Sequence, residues 1–211
     1  VYTVSVINAP NGQKVPAFTI KASNKNSQAV ITGAQILMID KSITVEVPYD
    51  YGASEYNQLA VDLSYGTTSY TSTPTNPDFK NPVKYTRKKG DGSTEEYILS
   101  VHNAPITRAQ LDILITSNKD LTLLNTSTIT NMGQLFVNQI AFNQDISGWD
   151  VSKVTDMADM FNVAESFDQD LSFWKNKVNE NIPHSGFSDD NCPLRKSFHP
   201  YESWADKSDL Q

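Results

Sequence analysis

Asp120, Asp145 and Asp170 stand 25 residues apart, and Asn143 and Asp168 each precede one of them by two positions. Oxygen-bearing side chains at a fixed interval are what a calcium site would draw on, since Ca²⁺ takes about six to eight oxygens within roughly 2.6 Å. Stacked rungs lie about 5 Å apart, so one ion could bridge two of them at most. Recurrence of the same residue favours a repeated hydrogen bond from side chain to turn backbone, and no metal or cofactor is assigned. Asp189-Asp190-Asn191 is a second oxygen cluster and reads as a loop. His102, His184 and His199 have no metal-ligand spacing and read as surface or cap residues. Cys192 stands before Pro193 with no base alongside, which fits a buried thiol better than a nucleophile. A single cysteine also excludes an internal disulfide framework and a multi-cysteine zinc site. The chain lacks Gly-x-Ser-x-Gly, His-Glu-x-x-His and phosphate-loop patterns, and among its 24 acidic residues no pair stands out as a glycosidase couple. The expectation is a protein that is not an enzyme.

The interval itself is the wider signal. Residues 125–149 laid over 150–174 give nine identities, among them Thr130/Thr155, Met132/Met157, Phe136/Phe161, Phe142/Phe167, Gln144/Gln169 and Trp149/Trp174. A fixed period of this length means stacked supersecondary units. The spacing predicts a strand over 142–147 and again over 167–172, and a helical turn over 130–138 and 155–164, with Met132, Phe136, Met157, Met160 and Phe161 inward and Trp149 above Trp174. Thr107-Arg-Ala-Gln110 is a capping box, and Leu111, Leu114 and Ile115 follow at helical spacing. These predict a helix over 107–116 as a modified first unit and N-terminal cap. Phe187, Leu194, Phe198, Tyr201 and Trp204 are available for a C-terminal cap.

Upstream of Pro105 the pattern has period 2: Ile43/Val45/Val47, Leu59/Val61/Leu63 and Tyr97/Leu99/Val101 alternate with more polar neighbours, the mark of half-buried strands. Turn chemistry separates the runs at Asn11-Gly12, residues 24–26, Gly33, residues 48–52, Tyr65-Gly66 and residues 74–82. Residues 89–93, Lys-Gly-Asp-Gly-Ser, predict a hairpin between strands at 83–88 and 94–101. Tyr2-Thr-Val-Ser-Val-Ile-Asn-Ala-Pro10 recurs 95 residues later as Tyr97 to Pro105. The first copy therefore reads as the last strand of a preceding module, or one that this module shares, and Asn-Ala-Pro reads as a linker. The chain opens on Val1 within a strand-like pattern, which suggests a processed product.

Length and charge fit this division. The 211 residues suffice for two domains of about 100 each, here 1–105 and 106–211. Net charge is −7, and all of the excess lies beyond Pro105, which argues against nucleic acid as a partner. No apolar run of about 18 residues is present to span a membrane.

Residues 43–48 (Ile-Thr-Val-Glu-Val-Pro), 78–85 (Asp-Phe-Lys-Asn-Pro-Val-Lys-Tyr) and 91–97 (Asp-Gly-Ser-Thr-Glu-Glu-Tyr) resemble a bacterial immunoglobulin-like module over 16–105. Residues 142–157, Phe-Asn-Gln-Asp-Ile-Ser-Gly-Trp-Asp-Val-Ser-Lys-Val-Thr-Asp-Met, then Met160-Phe161 and the echo in residues 187–194, resemble leucine-rich-repeat surface proteins of the BspA type. That second resemblance covers 106 to the C-terminus and departs from the family in carrying barely two full units. The fold class expected is therefore α+β in two domains: an all-β immunoglobulin-like sandwich followed by a short, capped, leucine-rich-repeat-like α/β solenoid. The resemblances imply an extracellular bacterial surface protein, an outer-membrane lipoprotein with its signal segment and lipid anchor upstream of this chain. The function they imply is adhesion, by binding a host or bacterial surface protein, with the sandwich as spacer. Contacts chosen for a partner need not repeat between units, so the candidates are Gln134, Asn143, Lys153, Asp159, Asp168 and Phe173. The other reading of Phe173 is packing against the C-terminal cap. The alternative function is glycan capture for nutrition, with Tyr49, Tyr51 and Tyr56 as an exposed sugar platform.

Overall fold

The computed structural model describes residues 2–4, 18–23, 33–37, 41–65, 68–75 and 77–205. The chain forms two compact units, Val1–Ala104 and Pro105–Gln211. The turns expected at Asn11-Gly12 and 24–26, Gly66 of the Tyr65-Gly66 pair, Asn76 within 74–82, and Val1 and residues 5–10 of the repeated terminal strand lie outside the described residues.

The first unit contains strands β1 (Tyr2–Val4), β2 (Phe18–Ser23), β3 (Gly33–Leu37) and β4 (Ser42–Val47), a one-turn helix α1 (Ala53–Tyr56), then β5 (Ala60–Tyr65), β6 (Thr68–Thr73), β7 (Val83–Lys88) and β8 (Thr94–Asn103). The alternation read from sequence has its consequence here. Ile43, Val45, Val47, Leu63, Tyr97 and Leu99 are buried, while Ile98 points outward. The hairpin at 89–93 joins β7 to β8, closed by a bond from Lys89 N to Ser93 O at 2.7 Å. Gly92 there has φ +85°, which a side chain would make costly. Gly33, expected in a turn, opens β3.

The immunoglobulin-like sandwich does not form. Such a sandwich needs two antiparallel sheets packed face to face. Here the strands join edge to edge in one hydrogen-bonded order, β1-β2-β5-β6-β7-β8-β4-β3, and β4 runs parallel to β8 with Ile43 beside Leu99 and Val45 beside Val101. The sheet is therefore mixed. Period-2 alternation specifies that a strand has one buried face; it carries nothing about which strand lies alongside or in which direction.

The second unit corrects the other half of the expectation. Helix α2 (Arg108–Thr116) forms as read, with Thr107 Oγ1 accepting from Gln110 N and Gln110 Oε1 accepting from Thr107 N. Beyond it, however, residues 142–147 and 167–171 contain no strand, residues 172–174 form a 3₁₀ turn, and 130–138 and 155–164 contain no helix. This is no α/β solenoid; its coils are built from successive turns. Within 131–139, Leu135 N bonds Met132 O and Gln139 N bonds Phe136 O. Alternate amides point to the next coil instead: Met132, Gln134, Phe136 and Asn138 donate to the carbonyls of Asp156, Ala158, Met160 and Asn162 at 2.8–3.0 Å. The third residue of each such turn has positive φ: Gln134 59°, Asn138 58°, Asp159 55°, Val163 58° and Gly186 66°. One left-handed residue per turn interrupts both helix and strand.

Side chains lock the coils in register. Phe136 stacks on Phe161 at 5.4 Å and Phe142 on Phe167 at 5.5 Å, all four rings nearly parallel. Phe187 ends the stack edge-on at 5.3 Å. Trp149, Trp174 and Trp204 are wholly buried, and each indole N–H reaches back to an earlier carbonyl: Leu121, Ser147 and Glu180 respectively. A buried indole N–H left unpaired would be costly, so this repeated bond fixes where each coil sits. Phe187, Leu194 and Trp204 close the C-terminal end, with Phe198 and Tyr201 half-buried beside them.

Candidate functional site

The recurring acids are turn-makers first. Asp120 Oδ1 accepts from Thr122 N, Asp145 Oδ1 from Ser147 N, and Asp170 Oδ1 from Ser172 N, at 2.9–3.0 Å. Asp150 and Asp156 do the same for Ser152 and Ala158. The side chain and backbone of Ser152 donate to Asp150 and hold its carboxyl below the usual carboxylate range. Burial alone would raise Asp189. The donors around it, Asn191 and the amides of Val163 and Cys192, outweigh that and bring it below the usual range too. Among the described residues no three His, Cys, Asp or Glu side chains converge as a metal-holding group.

The six candidate contacts separate into distinct places. Gln134 and Asp159 occupy equivalent left-handed turn positions one coil apart, and Gln134 Nε2 donates to Asp159 Oδ2 at 3.4 Å. Asn143 and Asp168 form a second pair. Asn143 Oδ1 accepts from Asp168 N at 3.1 Å and from Gln169 Nε2 at 2.8 Å. Lys153 is exposed, close enough to Asp150 to help lower its pKa. Phe173 is 65% exposed, so it does not pack into the cap. Its equivalent one coil earlier is Gly148, where an added Cβ would meet nothing within 4 Å. This rung of the stack therefore opens outward.

Asp168 carries a local imbalance with a readable cause. Its Oδ2 pairs with Arg195 Nη2 at 3.1 Å, while its Oδ1 is buried without a partner. Cys192 Sγ sits against Phe167 O, so Pro193 follows the register to the place next to Asp168. Proline has no N–H to give, and the bond that Asn143 receives from the next coil is lost here.

Three features were not legible. Arg108 Nη1 donates to the carbonyls of Asn131 and Gly133 at 3.0 and 3.2 Å, and Arg108 Nε to Asp112 Oδ1 at 2.8 Å. A polar cleft of about 350 Å³ lies against it, lined also by Gln134 and Asp156. His199 Nδ1 faces Arg195 O and its Nε2 faces Ser188 Oγ at 2.7 Å. A carbonyl can only accept, so Nδ1 carries a proton, and in the neutral ring Nε2 accepts from Ser188. Both side chains are buried, which makes this a bond inside the cap. Between 172 and 203 lies a larger cleft of about 610 Å³, with Lys175, Glu180, Tyr201 and Glu202 in its wall.

The tyrosine platform expected for glycan capture does not form. Tyr51 and Tyr56 are buried, and Tyr56 Oη donates to Asn103 Oδ1 at 2.8 Å while Asn103 Nδ2 holds the carbonyls of Tyr49 and Tyr51. Burial pushes the Tyr56 hydroxyl well above its ordinary pKa. Asn103 of the Asn-Ala-Pro motif thus fastens the loop after β4.

Residues 109–187 match the family described as Mycoplasma protein of unknown function, DUF285. The match takes in most of α2 and both full coils. No curated protein matches the chain. Among the described residues no helix is long and apolar enough to cross a membrane.

Proposed function

We propose that this chain is a non-enzymatic surface protein of a bacterium, akin to the BspA-type repeat proteins, whose stacked coils recognise a protein partner while the β unit serves as a spacer. The observation that carries the reading is the composition of the two full coils. Residues 125–174 hold Asp145, Asp150, Asp156, Asp159, Glu165, Asp168 and Asp170 against a single cation, Lys153. Turn chemistry explains why carboxylates stand at several of these places. It does not explain Asp159, Glu165 or Asp168. A strong excess of one sign raises the encounter rate with an oppositely charged partner and makes the association sensitive to salt. Phe173, an exposed ring, has the character of a contact anchor.

The test is binding of soluble host matrix proteins to the immobilised full chain at about 0.05 and 0.3 M salt, where the Debye length falls by more than half. The expected result is attachment that weakens at the higher salt and is lost when Asp159, Asp168 and Phe173 are all replaced by alanine. Attachment indifferent to salt and to the triple replacement would overturn the reading.

A further inference from the structure

Phe173 is an exposed aromatic ring, and its chain neighbours place it beside a cleft. Ser172 and Lys175, on either side of it, both line the 610 Å³ space closed by the C-terminal cap. That volume falls within the roughly 300–1,000 Å³ of small-molecule sites.

The wall has a definite chemistry. It offers hydroxyl, carboxamide and carboxylate groups, among them those of Asn176, Glu180, Tyr201 and Glu202. Parts of it are fixed in place. Tyr201 Oη accepts from Asn176 N and donates to Val178 O, and Glu180 Oε1 accepts from Ser203 Oγ at 3.0 Å. The Asn176 backbone is left-handed, φ 67°. Among the described residues no ion pair engages Lys175, Glu180 or Glu202. One lysine against two glutamates leaves the wall with charges of both signs and one negative charge in excess. An anion would meet both carboxylates, a polycation would meet Lys175, and an apolar ligand would strip water from polar groups without replacing it. A polyhydroxylated neutral ligand suits all of them, because each hydroxyl both donates and accepts. Phe173 is not itself in the wall, but its exposed ring follows Ser172 in the chain and offers a flat apolar surface for the C–H face of a pyranose.

We propose that this cleft binds a neutral oligosaccharide, with Phe173 as the stacking ring and Asn176, Glu180 and Glu202 as hydrogen-bonding partners. This site shares Phe173 with the protein-recognition reading but does not depend on that reading.

Trp204 supplies a local reporter, since its indole N–H donates to Glu180 O at 3.0 Å, whereas the Trp149 indole bonds Leu121 O far from the cleft. The experiment is a proton–nitrogen NMR titration of the full chain with maltotriose, cellotriose and tri-N-acetylchitotriose, each to about 10 mM, a range that detects binding as weak as millimolar. The expected result is that at least one trisaccharide shifts the Trp204 indole signal while the Trp149 signal stays in place. Phe173→Gly, which restores the residue found one coil earlier and removes only an exposed ring, should weaken that binding about tenfold. Glu202→Gln should weaken it as well. Failure of all three sugars to move Trp204 would overturn the proposal, as would undiminished affinity in Phe173→Gly. An arginine-rich peptide that moves Trp204 where the sugars do not would also overturn it, and would return the cleft to protein recognition. Glu202→Gln leaves Asp159, Asp168 and Phe173 in place, so it should weaken sugar binding without changing the matrix-protein assay, and the two readings fail separately.

Discussion

Gly186 is where the geometry of a single residue is most exposed to test. Its φ is +66°, and a Cβ there would collide with Asp159 Oδ1 on the previous coil. Gly186→Ala should therefore cost about 1–2 kcal/mol from the backbone alone, plus a further amount for the collision. The colliding atom is the end of a flexible side chain, so Asp159→Ala in the same chain should remove the second part and leave the first. A double-mutant cycle on thermal or denaturant unfolding separates them. Equal losses in both backgrounds would mean that the side chain swings away freely. The same position explains what sequence reading could and could not see. Glycine is the ordinary signal for a left-handed turn residue, yet of the five equivalent places only Gly186 carries it. Gln134, Asn138, Asp159 and Val163 give no such signal, and Gln134 and Asp159 were singled out for varying between units when their shared property is backbone conformation. Phe173 was readable in two ways, as a partner contact because it varies between units or as packing on the cap, and only the cap closing without it decides for exposure.

At the scale of elements, α2 replaces the coil that would precede residue 125, and this leaves a problem at its edge. The carbonyls of Asn131 and Gly133 correspond to those of Asp156 and Ala158, which accept amides from the coil before. A helix has no amides to offer sideways, since its own ladder uses them. Arg108 Nη1 meets both carbonyls instead. Arg108→Met should keep the helix and its buried Leu111 and Leu114 but leave those carbonyls to water, at a cost of about 1–2 kcal/mol. Hydrogen exchange should quicken at the α2 amides while those of Met157, Asp159 and Phe161 keep their protection. Uniform loss across the stack would show that the edge has no local role. The helix itself was legible to within a residue because a capping box and an apolar stripe are local properties. The coils were not, because their hydrogen bonds run to residues 24 to 26 positions away, and Met132 with Phe136 satisfies helical spacing by accident of two consecutive turns. The β unit failed for a related reason: alternation identified β4, β5 and β8, but strand partners and the parallel β4–β8 pairing are decided between distant segments.

For the whole molecule, charge is the property that sequence states without ambiguity and structure arranges. Net charge is −7, and stacking sets carboxylates one rung apart: Asp145 beneath Asp170, with Asp120 before them. Rungs about 5 Å apart lie well inside the Debye length of about 10 Å at 0.1 M salt, so these groups repel one another at low ionic strength even though each makes its own turn bond. Added salt should therefore stabilise the stacked coils. All three tryptophans belong to that unit and are buried, so the fluorescence unfolding transition reports on it. Its midpoint should rise by a few degrees between about 0.02 and 0.5 M sodium chloride, a change of about 1 kcal/mol for a unit of this size. Lys153→Glu removes the only cation from residues 125–174. It should lower the midpoint at low salt and enlarge the recovery at high salt, whereas a neutral Lys153→Gln should fall between. A midpoint that is flat with salt in all three chains would mean that water and counterions already screen the rungs. The acidic excess would then be a by-product of turn chemistry with no field strong enough to draw a partner.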